Sequence, residues 1–410
     1  MGMVNDLATA QRVVKNLLKA RQSRRAVAQQ ARLQQTLEPR KIQIAVYFAD
    51  DDVNLYQVRQ WYAPLAELAK TWPVAIISRS PAASLALWDE SPVPTVYLRT
   101  VAALENFVAQ QDIRIVLYVN QNTRNFQMFR YGKMWHVFIN HGESDKMYMT
   151  TNQFKAYDYS LIAGDAARDR LQRTLWNYDL DARTISIGRP QADHFGTDTP
   201  YPADDRTTVL YAPTWEGDRP AAAYGSIATH GVALVEALLA TGHHRVIYRP
   251  HPRSGVLDPV YARANHTIVA AIARANAADP AASHIHDTGA ALGWQLASAD
   301  VAITDISAMV YDRLATGKPI LVTRPVLPEA EIDETGYLSD AEWLSAESAS
   351  DIVATVDRVL MDEGAKQKLE WWVHRYFGDT TPGAATARFH GAIDTLMAEW
   401  QTHSDRTPTP

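Results

Sequence analysis

The sequence predicts two open, doubly wound α/β domains facing each other across a cleft, and three observations point there. From Pro39 onward, short apolar runs rich in β-branched and aromatic residues alternate with helical patterns. The alternation comes in two successive series, separated around Gly188–Pro202 by a stretch rich in Gly, Pro, Asp and Thr. At 410 residues the chain is also too long for one ordinary hydrophobic core.

The first series has strand candidates at Ile42–Phe48, Val74–Ser78, Ile113–Val119, His136–Ile139, Tyr159–Ala163 and Thr184–Ile187. Helical patterns lie between several of them, for example at Tyr56–Thr71 and Thr100–Gln111. The second series has strands at Thr208–Ala212, Arg245–Arg249, Ser283–His286, Val301–Thr304 and Ile320–Val322, with helices at Gly231–Thr241, Asp258–Ala278, Ala290–Ala297 and Ala308–Thr316. The expected organisation is a helical segment over 1–38, an N-terminal domain over 39–190, a C-terminal domain over 191–399 and a frayed tail over 400–410.

The bulk composition narrows the class. With 47% hydrophobic and 21% charged residues the chain reads as a soluble globular protein. The absence of cysteine excludes a disulfide scaffold, a cysteine nucleophile and a thiolate metal site. No apolar run approaches the roughly 18 residues that span a bilayer, and the N-terminus lacks a secretion-signal pattern. The expectation is a cytoplasmic protein.

The net charge of −6 is unevenly spread. Residues 1–36 carry Arg12, Lys15, Lys19, Arg21, Arg24, Arg25 and Arg32 against the single acid Asp6, and Leu7, Ala10, Val14, Leu17 and Leu18 recur at helical spacing. Such a basic amphipathic helix suits an anionic membrane surface, here the inner face of the plasma membrane; a solvated helix packed on the body is the plainer reading. The body is acidic and shows no basic–aromatic platform, so nucleic acid is not an expected partner.

Ligands of doubly wound sheets bind outside the carboxyl ends of the strands, and four motifs sit at such ends. They are His141-Gly142-Glu143-Ser144-Asp145-Lys146, Tyr211-Ala212-Pro213-Thr214-Trp215, Tyr248-Arg249-Pro250-His251-Pro252 and Ile303-Thr304-Asp305-Ile306-Ser307-Ala308. Alone, each has an ordinary structural explanation: a turn before glycine, a histidine shaped by prolines, or Ser307 as the N-cap of the following helix. Together, two histidines, an arginine suited to bidentate phosphate contact and a serine at a helix start form a phosphate-handling set. No Walker-type GK[ST] loop, HExxH or GxSxG elbow is present, and no metal site is expected.

The ordered motifs His-Gly-x-x-x-Lys, Tyr-Ala-Pro-Thr-Trp, Arg-Pro-His-Pro and Ile-Thr-Asp-x-Ser resemble the CDP-glycerol glycerophosphotransferase family of teichoic acid primases and polymerases. The resemblance runs from about residue 110 to 390 and includes Gly188-Arg189-Pro190-Gln191-Ala192-Asp193 at the domain junction. It implies a GT-B fold of two Rossmann-like domains, with the donor nucleotide held mainly by the C-terminal one. It also implies metal- and cofactor-independent transfer of a polyol-phosphate from a CDP-activated donor to an acceptor hydroxyl, with CMP released. The acceptor would be a glycan or lipid-linked chain, in cell-wall or capsular polymer synthesis.

By that resemblance His141 is the general base and His251 contacts the donor diphosphate, supported by Arg249. Ser307 binds donor phosphate with Thr214, while Thr304 and Asp305 shape the loop. Gly142 lets the chain turn, and Lys146 contacts the acceptor or orients the His141 loop. Ile306 and Ala308 depart from the aromatic and second serine common in the family. Glu143 and Asp145 make the first motif unusually acidic, which points to a sugar hydroxyl as acceptor. Two other readings share the fold: a GT-B glycosyltransferase using a nucleotide-sugar, and a non-catalytic scaffold of a wall-assembly complex.

Overall fold

The computed structural model describes residues 21–30, 37–144, 150–196, 198–289 and 292–406. Its first sheet comprises β1 (Ile44–Phe48), β2 (Val74–Ser78), β3 (Thr95–Tyr97), β4 (Ile115–Tyr118), β5 (Trp135–Phe138), β6 (Tyr159–Ile162) and β7 (Thr184–Ser186). The second comprises β8 (Thr207–Ala212), β9 (His244–Tyr248), β10 (Ile285–His286), β11 (Val301–Thr304), β12 (Ile320–Thr323) and β13 (Glu342–Leu344). Their orders are β3-β2-β1-β4-β5-β6-β7 and β10-β9-β8-β11-β12-β13, with every pairing parallel. Strand order reverses between β1 and β4 and again between β8 and β11, so each sheet has a crevice at that point.

The apolar runs form strands because helices cover both sheet faces. Ile44, Val46 and Phe48 of β1 enter one core while Ala45 and Tyr47 of the same strand enter the core on the other face. In the second sheet Val209 and Tyr211 likewise alternate with Leu210 and Ala212.

The strands that the sequence did not reveal, β3 and β13, are three-residue edge strands, too short to show a period. The helix expected over Tyr56–Thr71 is two pieces, Tyr56–Arg59 and Tyr62–Leu68. Pro64 accounts for the break, since it lacks an N–H and its ring crowds the carbonyl four residues back, at Gln60. The helix expected at Ala290 begins instead at Trp294.

The C-terminal end differs from the expected domain plan. The last helix runs from Ala384 to Arg406, through part of the presumed tail, and its Phe389, Ile393, Leu396 and Met397 lie in the core of the first sheet. Trp135 Nε1 donates to Leu396 O at 3.1 Å, Trp72 Nε1 to Asp394 at 2.8 Å and Tyr159 Oη to Glu399 at 2.7 Å. The chain thus returns to the domain it began with. Of the basic N-terminal segment, residues 21–30 form a helix that buries Val27 and exposes Arg21, Arg24 and Arg25; the rest of that expectation lies outside the described residues.

Phe389 is fully buried with its ring 5.2 Å from that of Trp61. Phe389→Ala is expected to lower the unfolding free energy in urea by about 3–5 kcal/mol. A loss below about 1 kcal/mol would show that this helix contributes no core.

Candidate active site

On the N-terminal side, the loop after β5 carries Asn140, whose φ of 53° puts it in the left-handed region. Asparagine tolerates this conformation because its side chain bonds locally: Asn140 Oδ1 accepts from His141 N at 2.9 Å and Nδ2 donates to Gly142 O at 2.5 Å. The turn expected of Gly142 is therefore made by Asn140. A β-carbon on Gly142 would meet nothing nearer than 3.7 Å.

His141 sits half-buried with Nδ1 3.0 Å from Val119 O, at the end of β4. A carbonyl only accepts, so Nδ1 carries the proton and Nε2 keeps its lone pair. The edge of the Tyr56 ring packs against the imidazole at 5.8 Å. Burial lowers the pKa of His141, the Val119 bond opposes that, and the nearby Arg189 cation lowers it further. The result is a neutral imidazole whose basic nitrogen is already defined.

The acidic departures in this loop look different in three dimensions. Glu143 is buried in an ion pair with Arg170, itself buried on the helix Asp165–Thr174. Its charge is therefore compensated and does not stand as a bare anion beside an acceptor. Asp145 and Lys146 lie outside the described residues.

On the C-terminal side, Asp305 closes the crevice between β8 and β11. Its carboxylate accepts from Thr214 N at 2.8 Å, Ser226 N at 3.0 Å and Thr323 Oγ1 at 2.6 Å. Complete burial outweighs these bonds and pushes its pKa up to about 6. Thr304 is equally buried, and its hydroxyl has no partner among the described residues. Both residues shape the loop, and neither presents its side chain to solvent. Ser307 is the N-cap of the helix Ala308–Leu314, its Oγ accepting from Met309 N at 3.2 Å, which leaves its O–H to donate outward.

Arg249 differs from expectation in its engagement. Its guanidinium pairs with Asp287 and donates to Gly289 O at 3.0 Å, so it braces the loop after β10. His251 is exposed, with its backbone N–H tied to Pro213 O at 3.1 Å. Its Nδ1 accepts from Arg253 N at 3.1 Å, which places the neutral ring's proton on Nε2. The two histidines are thus opposite tautomers: His141 offers a lone pair and His251 a donor. Thr214, His251 and Asp305 are brought into one network by the Pro213–His251 and Thr214–Asp305 bonds. Among the described residues no three His, Asp or Glu side chains converge as a metal site.

One residue of the site, named in the sequence only as part of the junction motif, is given no role there. Arg189, at the end of β7, is buried and paired with buried Asp312 of the helix Ala308–Leu314, so it bridges the two domains. Burial raises the pKa of Asp312 against the pull of Arg189. The available signal was a basic residue held between Gly188 and Pro190 at a strand end.

The family described as CDP-Glycerol:Poly(glycerophosphate) glycerophosphotransferase matches residues 133–329, a span that contains all four motifs. No curated protein matches the chain in sequence. Among solved structures, a Listeria monocytogenes protein assigned as UDP-N-acetylglucosamine 2-epimerase aligns over 88% of this chain and 97% of its own, with TM-score 0.58 and 15% identity. The wall teichoic acid polymerase TagF aligns over 99% and 100%, with TM-score 0.55 and 14% identity. A histidine variant of TagF with CDPG aligns over 97% and 99%, with TM-score 0.55 and 13% identity. These likenesses bear out the GT-B-like fold of two Rossmann-like domains.

Gly188, unlike Gly142, has a positive φ of 72°, and a β-carbon there would lie 2.9 Å from Phe377 O. Gly188→Ala is expected to destabilise the protein by about 2 kcal/mol or more, and Gly142→Ala by less than about 1 kcal/mol. Thermal melting of both variants checks the contrast, and equal losses would contradict it.

Proposed function

We propose, since residues 133–329 match the CDP-glycerol glycerophosphotransferase family, that this enzyme transfers a polyol-phosphate from a CDP-activated donor to an acceptor hydroxyl in teichoic-acid-like polymer synthesis. The observation that carries the reading is His141, held by Val119 O with its proton on Nδ1, so that Nε2 keeps the basic lone pair.

In the proposed reaction Nε2 of His141 takes the acceptor's hydroxyl proton as that oxygen attacks the polyol-bearing phosphorus. The new P–O bond forms as the bridging P–O bond breaks, and CMP departs with the electron pair. His251 donates from Nε2 to the diphosphate as charge grows on the leaving CMP. Ser307 O–H and the amides at the start of its helix hold donor phosphate. Transfer of this kind depends on positioning and charge neutralisation more than on covalent help from the protein. Thr214, Asp305 and Arg249 keep the donor loops in register. The basic stretch 1–36 is assigned to an anionic membrane surface, where a lipid-linked acceptor would reside.

His141→Ala is expected to lower turnover by about 10²–10⁴-fold, with the fold intact by circular dichroism. His251→Ala should reduce CMP release as well. Incubation with CDP-glycerol, CDP-ribitol and a nucleotide-sugar panel tests the class, because a glycosyltransferase would release nucleoside diphosphate and no CMP.

The pH dependence has a definite sign. A lowered pKa keeps His141 unprotonated to lower pH, so kcat/KM should fall only below the ordinary histidine value of about 6.5. An acid limb centred at or above that value would count against the assignment. Deleting residues 1–36 should weaken sedimentation with anionic vesicles more than it weakens activity on a soluble acceptor; equal vesicle binding would refute the membrane role.

A further inference from the structure

We propose that Arg189 is a positioning residue that sets the His141 loop against the donor-side helix, so that the base is in place only when the two domains are docked. The inference rests on the reading of His141 as the base.

Three elements meet at Gly142. The guanidinium of Arg189, from the end of β7, lies 3.7 and 3.9 Å from the point a β-carbon on Gly142 would occupy, and Gln60 Oε1 lies 3.9 Å from the same point. Arg189 Nη2 donates to Gln60 Oε1 at 3.3 Å and pairs with Asp312. Asp312 belongs to the seven-residue helix that begins after Ser307, the proposed donor contact. One rigid helix therefore joins the donor site at its start to the base loop near its end.

The direction of Arg189 is itself constrained. Gly188 has a positive φ, and a β-carbon there would lie 2.9 Å from Phe377 O, so the turn out of β7 is one that favours glycine. Asp193, four residues further on, accepts from Thr386 N at 2.7 Å in the first turn of the last helix. Arg189 is thus held at the junction from both sides.

A purely stabilising bridge would be an inefficient use of this pair. Buried ion pairs are often no more stabilising than well-packed apolar residues of similar volume. Arg189 also leaves its Nε–H buried without a partner among the described residues, a penalty that structural economy does not explain. What an ion pair supplies and apolar packing does not is a fixed direction and a charge.

That charge lies beside Gly142, the residue next to the base. The groups around His141 are Tyr56 edge-on, the Val119 carbonyl and Arg189, with Glu143 neutralised by Arg170. Arg189 is the cation that disfavours protonation of the imidazole. Removing it raises the pKa of His141 and moves the acid limb to higher pH.

The test compares wild type with Arg189→Lys, Arg189→Gln and the paired Arg189→Met/Asp312→Leu, which removes the charges while filling the site. Full-length protein is assayed with CDP-glycerol, or with whichever CDP-polyol proves active, for kcat, KM, donor Kd and the pH profile. The expected result for Arg189→Gln and for the apolar pair is a kcat lower by about 10-fold or more, donor Kd within about 3-fold, and an acid limb moved to higher pH. Arg189→Lys should keep the wild-type acid limb and recover part of kcat. A folded apolar pair with wild-type kcat and acid limb would overturn the proposal, as would loss of activity that merely tracks loss of folded protein. If His141→Ala proves active, the base assignment fails and this inference with it; if His141→Ala is inactive while Arg189→Gln behaves as wild type, the positioning role alone is wrong.

Discussion

Burial of both sheet faces is the constraint on which the rest of this structure depends. In parallel sheets covered on each side, even the polar side chains along the strands are buried, as Ser78, Ser160, Arg245 and Thr304 are. β1 and β4, for example, are buried throughout. Polar chemistry can emerge only where strands end, and the order reversals beside β1 and β8 open a crevice at the ends that matter. The histidine loop of the first domain and the serine loop of the second occupy these positions because the cores leave no others.

Each crevice is closed by a different polar device. In the first domain Asn140 adopts the left-handed turn, and its side chain bonds both His141 N and Gly142 O. In the second, one carboxylate, Asp305, gathers two backbone amides and a threonine hydroxyl from three different segments. These bonds hold the loops in shape together with one bond from each site side chain, His141 Nδ1 to Val119 O and Met309 N to Ser307 Oγ, which leaves His141 Nε2 and the Ser307 O–H for other partners. The tautomers follow from the same arrangement, since a carbonyl opposite His141 Nδ1 and an amide opposite His251 Nδ1 demand opposite proton positions.

Charge is managed by pairing where burial would otherwise be costly. Glu143 with Arg170, Arg189 with Asp312 and Arg249 with Asp287 each place a charge that burial would penalise in a compensated pair. Removing one partner of a fully buried pair typically costs about 3–5 kcal/mol, because the other charge is left without compensation. The acidic character of the first motif therefore says little about the acceptor's charge at Glu143.

Alternating apolar runs, the two-series layout and the motifs at strand ends were legible in the sequence, because each depends on residues within a few positions of one another. β-Branched clusters declare strands, and Ser307 before a helical pattern declares a cap. The short edge strands β3 and β13 left no such trace, and neither did the break forced by Pro64 on the carbonyl of Gln60. Tertiary structure alone decided the rest. Arg189 and Asp312 lie 123 positions apart, and Trp135 and Leu396 lie 261 apart. No local pattern can announce such partners, since their meeting depends on where two folded domains and a returning helix bring them. The proton position on His141 belongs to the same class: it is set by the Val119 carbonyl on a neighbouring strand, a contact that exists only once the sheet has formed.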